Sequence, residues 1–155
     1  MMDRSKKYKI MYQKEIEQGR LVIYEYNFEK QYELMRMCDI VYLPIVCNSM
    51  PDLNNLMSKS PNRIMDAIYS GKPVITNEGV NSWLPFRYFA DFIGWARSFD
   101  YGANIQAFRA LINKPKDEII HRILRGQEYI KKHHSPEVIG KQWIDLENKV
   151  GKLGF

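Results

Sequence analysis

With 155 residues, 45% of them hydrophobic and 26% charged, the chain has the make-up of one globular domain, 1–155, large enough to bury a core. No apolar run reaches the roughly eighteen residues of a membrane-spanning helix, and the charged opening Met-Met-Asp-Arg-Ser-Lys-Lys is followed by no apolar stretch of a secretory signal. Cys38 and Cys47 stand at no metal-ligand spacing and the histidines number three, so the expectation is a cytoplasmic protein with no metal and no cofactor.

In chain order, Tyr8, Met11, Tyr12 and Ile16 fall on one stripe and predict a helix over 5–18, stopped by Gly19. Residues 1–20 also read as an incomplete start to the fold. Leu-Val-Ile-Tyr-Glu-Tyr (21–26) is rich in β-branched and aromatic residues and predicts a strand. Asn27 is placed to cap a helix running to about Met37, with Phe28, Tyr32 and Met35 turned inward. Asp39–Pro44 is almost continuously apolar, as strands covered on both faces of a parallel sheet are. The following polar stretch, 45–59, exceeds the usual length of a strand-to-helix loop and leaves from a strand's carboxyl end.

Lys59 to Thr76 is the most informative segment. Ser60 suits an N-cap, Pro61 the first helical position, and Gly71 the left-handed residue past the end. Ile64, Ala67 and Ile68 form the helix's apolar face, while Asn62, Arg63 and Asp66 line a polar one. Pro73-Val-Ile then opens a strand. A helix start with backbone N–H groups and basic side chains is where α/β proteins hold phosphorylated ligands.

Beyond it, Asn77–Ser82 is a polar loop at another strand's carboxyl end, and Asp91–Arg97 predicts a last strand. Asn104–Asn113 is a helix with Ile105, Phe108, Leu111 and Ile112 on one face, ended by Pro115. A second runs from Asp117 to about His133 through Ile120, Ile123, Leu124 and Ile130, with Gly126 weakening its middle. Ser135-Pro136-Glu137 starts a third, carrying Ile139, Trp143, Leu146 and Val150 at spacings of four, three and four. Strands alternating with helices predict a parallel α/β sheet. The net charge of +5 gathers late: residues 101–155 hold ten basic and six acidic side chains, densest at Lys131-Lys132-His133-His134. No basic stripe is interleaved with aromatics, which argues against nucleic acid. A solvated helix end is the plainer reading of this cluster; a peripheral contact with an anionic membrane is the other.

The order of these pieces resembles the C-terminal, nucleotide-sugar-binding half of a GT-B glycosyltransferase. Cys38-Asp-Ile-Val-Tyr-Leu-Pro44 is similar to that family's aspartate, apolar strand and proline. Lys59-Ser-Pro-Asn-Arg-Ile-Met-Asp-Ala67, with Gly71-Lys-Pro-Val-Ile75, resembles its donor helix and following strand. Ser135-Pro-Glu with Trp143 resembles its closing helix, 135–150, which returns toward the partner domain. The resemblance covers about residues 21–150 and implies a Rossmann-like parallel sheet flanked by helices. It implies a nucleotide-diphosphate sugar as donor substrate, with Asp66 at the ribose hydroxyls and Lys59, Ser60, Asn62 and Arg63 around the diphosphate. Glu78 follows as a candidate contact to the sugar. A carboxylate can accept from two vicinal hydroxyls, and cations stabilise charge on a leaving diphosphate.

The departures are specific. Many retaining members carry two glutamates eight positions apart; here Ser58 stands at the first place and Asp66 at the second, one methylene shorter. No glycine-rich opening turn precedes the first strand, and the N-terminal acceptor domain has no counterpart. The resemblance therefore implies a donor-binding half, acting in polysaccharide biosynthesis on a glycan or glycolipid acceptor and not transferring sugar by itself. The alternatives are a stand-alone nucleotide or nucleotide-sugar module without catalysis, or a structural α/β interaction module.

Overall fold

A computed structural model of the chain describes residues 9–25, 27–43, 60–77, 85–93 and 101–151. It divides into two compact units, residues 1–34 and 35–155.

In the first unit, helix α1 (Gln13–Glu17) ends as its glycine requires. Gly19 has φ +68°; its N–H donates to Ile16 O and that of Arg20 to Glu15 O, which closes a Schellman motif. Residues 21–25 are in no strand, contrary to the reading of 21–26; Tyr26 lies outside the described residues. Strand propensity reflects packing in a sheet, and no ladder partner meets this run among the described residues. Helix α2 (Phe28–Met37) begins as expected: the Asn27 side-chain oxygen accepts the Lys30 N–H at 3.0 Å. Phe28, read as inward, is 62% exposed and packs edge-on against Tyr32 at 5.0 Å.

The second unit is a parallel sheet with helices on both faces, an α/β arrangement. Strands β1 (Val41–Leu43), β2 (Val74–Asn77) and β3 (Asp91–Ile93) lie in the order β1-β2-β3. Val41 pairs with Val74 and Leu43 with Thr76; Ile75 pairs with Asp91. Alternate residues point to opposite faces. Val41, Leu43 and Val74 face one core with helix α3 (Asn62–Tyr69), contributing Ile64, Ala67 and Ile68, and with Phe86, Phe89, Ala90, Met35 and Ile130. Tyr42 and Ile75 face the other, against Ala107, Phe108 and Leu111 of helix α4 (Tyr101–Ile112), with Ile119. Ile112, read as a core position of α4, is exposed.

Helix α5 (Lys116–His134) packs on α3, but through a different stripe from the one its aliphatic spacing suggests. Ile123, Gly126 and Ile130 are buried, whereas Ile120 and Leu124 are exposed. The turn of the helix follows from Gly126. A Cβ at this position would stand 2.7 Å from Ile68 Cγ2 and 3.1 Å from Phe89 Cβ, so the missing side chain is what lets α5 approach. Polar ties hold the same seam. Gln127 Nε2 donates to Ile68 O and Tyr69 O at 3.2 and 3.1 Å, giving the carbonyls in the last turn of α3 a side-chain partner. Arg122 reaches both Asp91 carboxylate oxygens, at 3.1 and 3.3 Å, and Ala90 O at 2.9 Å.

Helix α6 (Pro136–Gly151) starts as read, with Ser135 Oγ accepting the Val138 N–H at 3.3 Å. No residue of α6 is buried. Its stripe, Ile139, Trp143, Leu146 and Val150, is exposed in this structure, Trp143 to 67%. No described helix is long and apolar enough to cross a membrane.

Candidate functional site

Helix α3 supplies most of the residues singled out above. Its direction follows from what flanks it. Past its C-terminus, Pro73 O accepts the Val41 N–H at 3.0 Å, which sets that end of α3 beside the amino end of β1. The helix therefore runs against the strands and presents its N-terminus toward their carboxyl edge, where open α/β sheets bind ligands.

The cap at that N-terminus differs in detail from the sequence reading. Pro61, not Ser60, occupies the position before the first helical residue, and its carbonyl accepts the Met65 N–H at 3.0 Å. Ser60 lies one residue further out, and its Oγ accepts the Asn62 N–H at 3.3 Å while donating to Asn62 Oδ1 at 2.6 Å. The serine thus satisfies a first-turn amide, which is the job of a cap, from outside the helical boundary. Asn62 and Arg63 are exposed and Asp66 is half-buried, one turn in. Four of the six expected donor residues thus gather at the N-terminal end of α3: Ser60 before it, Asn62 and Arg63 on its first turn, and Asp66 on the next. Lys59 and Glu78 lie outside the described residues.

The other end of α3 is over-determined. Gly71, at φ +75°, closes a second Schellman motif: its N–H donates to Ile68 O and that of Lys72 to Ala67 O, each at 3.0 Å. Lys72 Nζ donates to Arg36 O at 2.9 Å. With Gln127 on the last carbonyls and three side chains of the apolar face fully buried, the helix is fixed from its middle to its C-terminus.

A second polar group belongs to the same sheet and went unread in the sequence. Asn104, taken there as the start of a helix, lies on the first turn of α4 and is buried; its Oδ1 accepts from Tyr42 Oη. Burial pushes the Tyr42 phenol up from its ordinary value, so it stays a protonated donor. Thr76 is fully buried and its Oγ1 donates to Leu43 O at 3.0 Å. These bonds tie β1, β2 and α4 together at buried polar atoms. A tyrosine inside an apolar strand looks like packing, so only the fold could reveal the bond to a residue sixty-two positions away.

Among the described residues no group of three or more histidines, cysteines and carboxylates is placed to hold a metal ion. The arrangement can hold an anion or a polar ligand at the α3 N-terminus, with Asp66 as acceptor and Arg63 as cation.

Comparison with known proteins yields one informative similarity. Over 98 residues the chain is 34% identical to a viral protein (isolate Australia/Victoria) described as "Putative glycosyltransferase ORF31". The match takes in 62% of this chain and 27% of the viral protein, so it spans about a quarter of the relative's length. No family model matches, and no solved structure does.

Proposed function

We propose that the chain is the donor-binding part of a glycosyltransferase. In this reading a Rossmann-like sheet presents the α3 N-terminus to a nucleotide-diphosphate sugar. The observation that carries it is the co-location of Ser60, Asn62, Arg63 and, one turn further in, Asp66 at the N-terminal end of a helix aimed at the sheet's carboxyl edge. The described function of the viral relative supports the transferase class. The donor and the kind of acceptor come from the resemblance in the sequence.

The roles follow from the chemistry. The α3 N-terminus, Arg63 and Lys59 offset the charge of a diphosphate. Asp66 accepts from a pair of ribose hydroxyls, and Glu78 contacts the sugar. The acceptor and its half of the cleft are supplied by polypeptide outside these residues, and the exposed stripe of α6 is the face that such a half would cover. Sugar transfer by these 155 residues alone is therefore not expected.

Calorimetric titration with uridine, guanosine and adenosine diphosphates tests the reading. One of them should bind, and Asp66→Ala, shown by circular dichroism to be folded, should weaken it about tenfold or more, roughly 1.4 kcal/mol. Arg63→Ala should weaken the diphosphate more than the corresponding nucleoside. No binding of any of the three, or equal binding by Asp66→Ala, would overturn the proposal.

A further inference from the structure

We infer that the junction between α5 and α6 is a proton-sensitive joint, in which the neutral His134 ring, seated on Phe86, holds the end of α5 to the turn that precedes β3. The inference stands apart from the donor-binding proposal. His134 is the last residue of α5, and α6 starts two residues later. Its ring is half-buried, 5.7 Å from that of Phe86 and 5.9 Å from that of Tyr129. Phe86 is fully buried, and its carbonyl accepts the N–H groups of Phe89 and Ala90 at 2.8 and 3.1 Å. The His134 seat and the turn leading into β3 therefore share one residue.

Among the described residues the surroundings offer a proton no anion. On α5, His133 stacks on Tyr129 at 4.5 Å, and Lys131 and Lys132 are exposed beside it. The turn contributes apolar Phe86 and Phe89, with Arg87 and Tyr88 exposed. On α6 the nearest carboxylate, Glu137, is engaged by Ser135 and its own backbone and feels Lys131, and it does not act on His134. Two influences favour an imidazolium: the C-terminal end of the α5 dipole and the faces of the aromatic rings. Burial first, and the neighbouring His133 second, outweigh them and hold the His134 imidazole below its ordinary value of 6.5. A group depressed in this way contributes stability that is fully present above 6.5 and is lost as pH falls through that value and the lower one. On charging, the ring must leave Phe86 for water.

Amide hydrogen exchange on the full chain between pH 7.5 and 5, corrected for intrinsic rates, with histidine NMR titration alongside, tests the joint. The expected result is a several-fold loss of protection at Phe89 and Ala90 on acidification, with little change at Val41, and His134 titrating below free histidine. His134→Phe, with His134→Leu as a second neutral replacement, should abolish the pH dependence. The same dependence in both variants, an equal loss at Val41, or a His134 titration at or above the ordinary value would overturn the inference.

Discussion

Helices α3 and α6 carry the same kind of amphipathic pattern and end in opposite situations. Ile64, Ala67 and Ile68 of α3 are fully buried between the sheet and α5. Ile139, Trp143, Leu146 and Val150 of α6 remain exposed, between 36% and 67%. A periodic apolar stripe says that a face wants to leave water; it does not say whether the same chain provides the cover. For α3 the same chain provides the cover: β2 follows the helix directly, and Gly126, far along the chain, lets α5 settle on it. For α6 the proposed acceptor half is the cover.

The largest expected effect tests that contrast directly. Ile68→Ala should cost about 2–5 kcal/mol in urea unfolding, as a fully buried aliphatic does, while Trp143→Ala should stay within about 0.5 kcal/mol. An equal cost at Trp143 would mean that the α6 face is covered in solution. Next comes the seam that makes α3 rigid. Arg122→Leu would leave the half-buried Asp91 carboxylate and Ala90 O without their shared donor, a loss of about 1–2 kcal/mol. Gly126→Ala sets overpacking of about 1–3 kcal/mol against a helix-propensity gain of about 1 kcal/mol, and should come out about 1 kcal/mol less stable. A more stable alanine variant would show that the α3–α5 approach is looser than these distances.

The smallest effect belongs to α6. The Glu137 carboxyl is held below its ordinary value of 4.5, first by the hydrogen bond with Ser135 and then by its own backbone amide. Its support for the helix start is therefore present above pH 4.5 and lost as pH falls through the depressed value. Circular dichroism below pH 4.5 should show a slight fraying of α6 that Glu137→Gln lacks. For α3, which has no acidic residue in its first turn, that route to acid fraying is closed.

The parts legible in the sequence were those whose partners lie within a few residues. Asn27 and Ser135 cap the helices they were expected to start, and Gly19 and Gly71 close Schellman motifs at φ values that favour glycine. The apolar face of α3 and strand β2 after it are where the sequence put them. The polar face of Asn62, Arg63 and Asp66 was legible for the same reason: a helix places residues three and four apart together whatever surrounds it.

Tertiary structure decided what depends on distant neighbours. It left 21–25 without a strand partner among the described residues, because strand propensity needs a ladder to act on. It turned α5 so that Gly126, read as a weak point, faces Ile68 and Phe89 where a Cβ would not fit, since hydrophobicity cannot register the value of an absent side chain. It brought Tyr42 to Asn104 and Gln127 to the end of α3, pairings set by where elements pack and not by spacing along the chain. The sequence by itself determined helix ends, glycine stops and the polar face of α3. Only packing decided which faces are covered, because burial depends on the geometry of elements far apart in the chain.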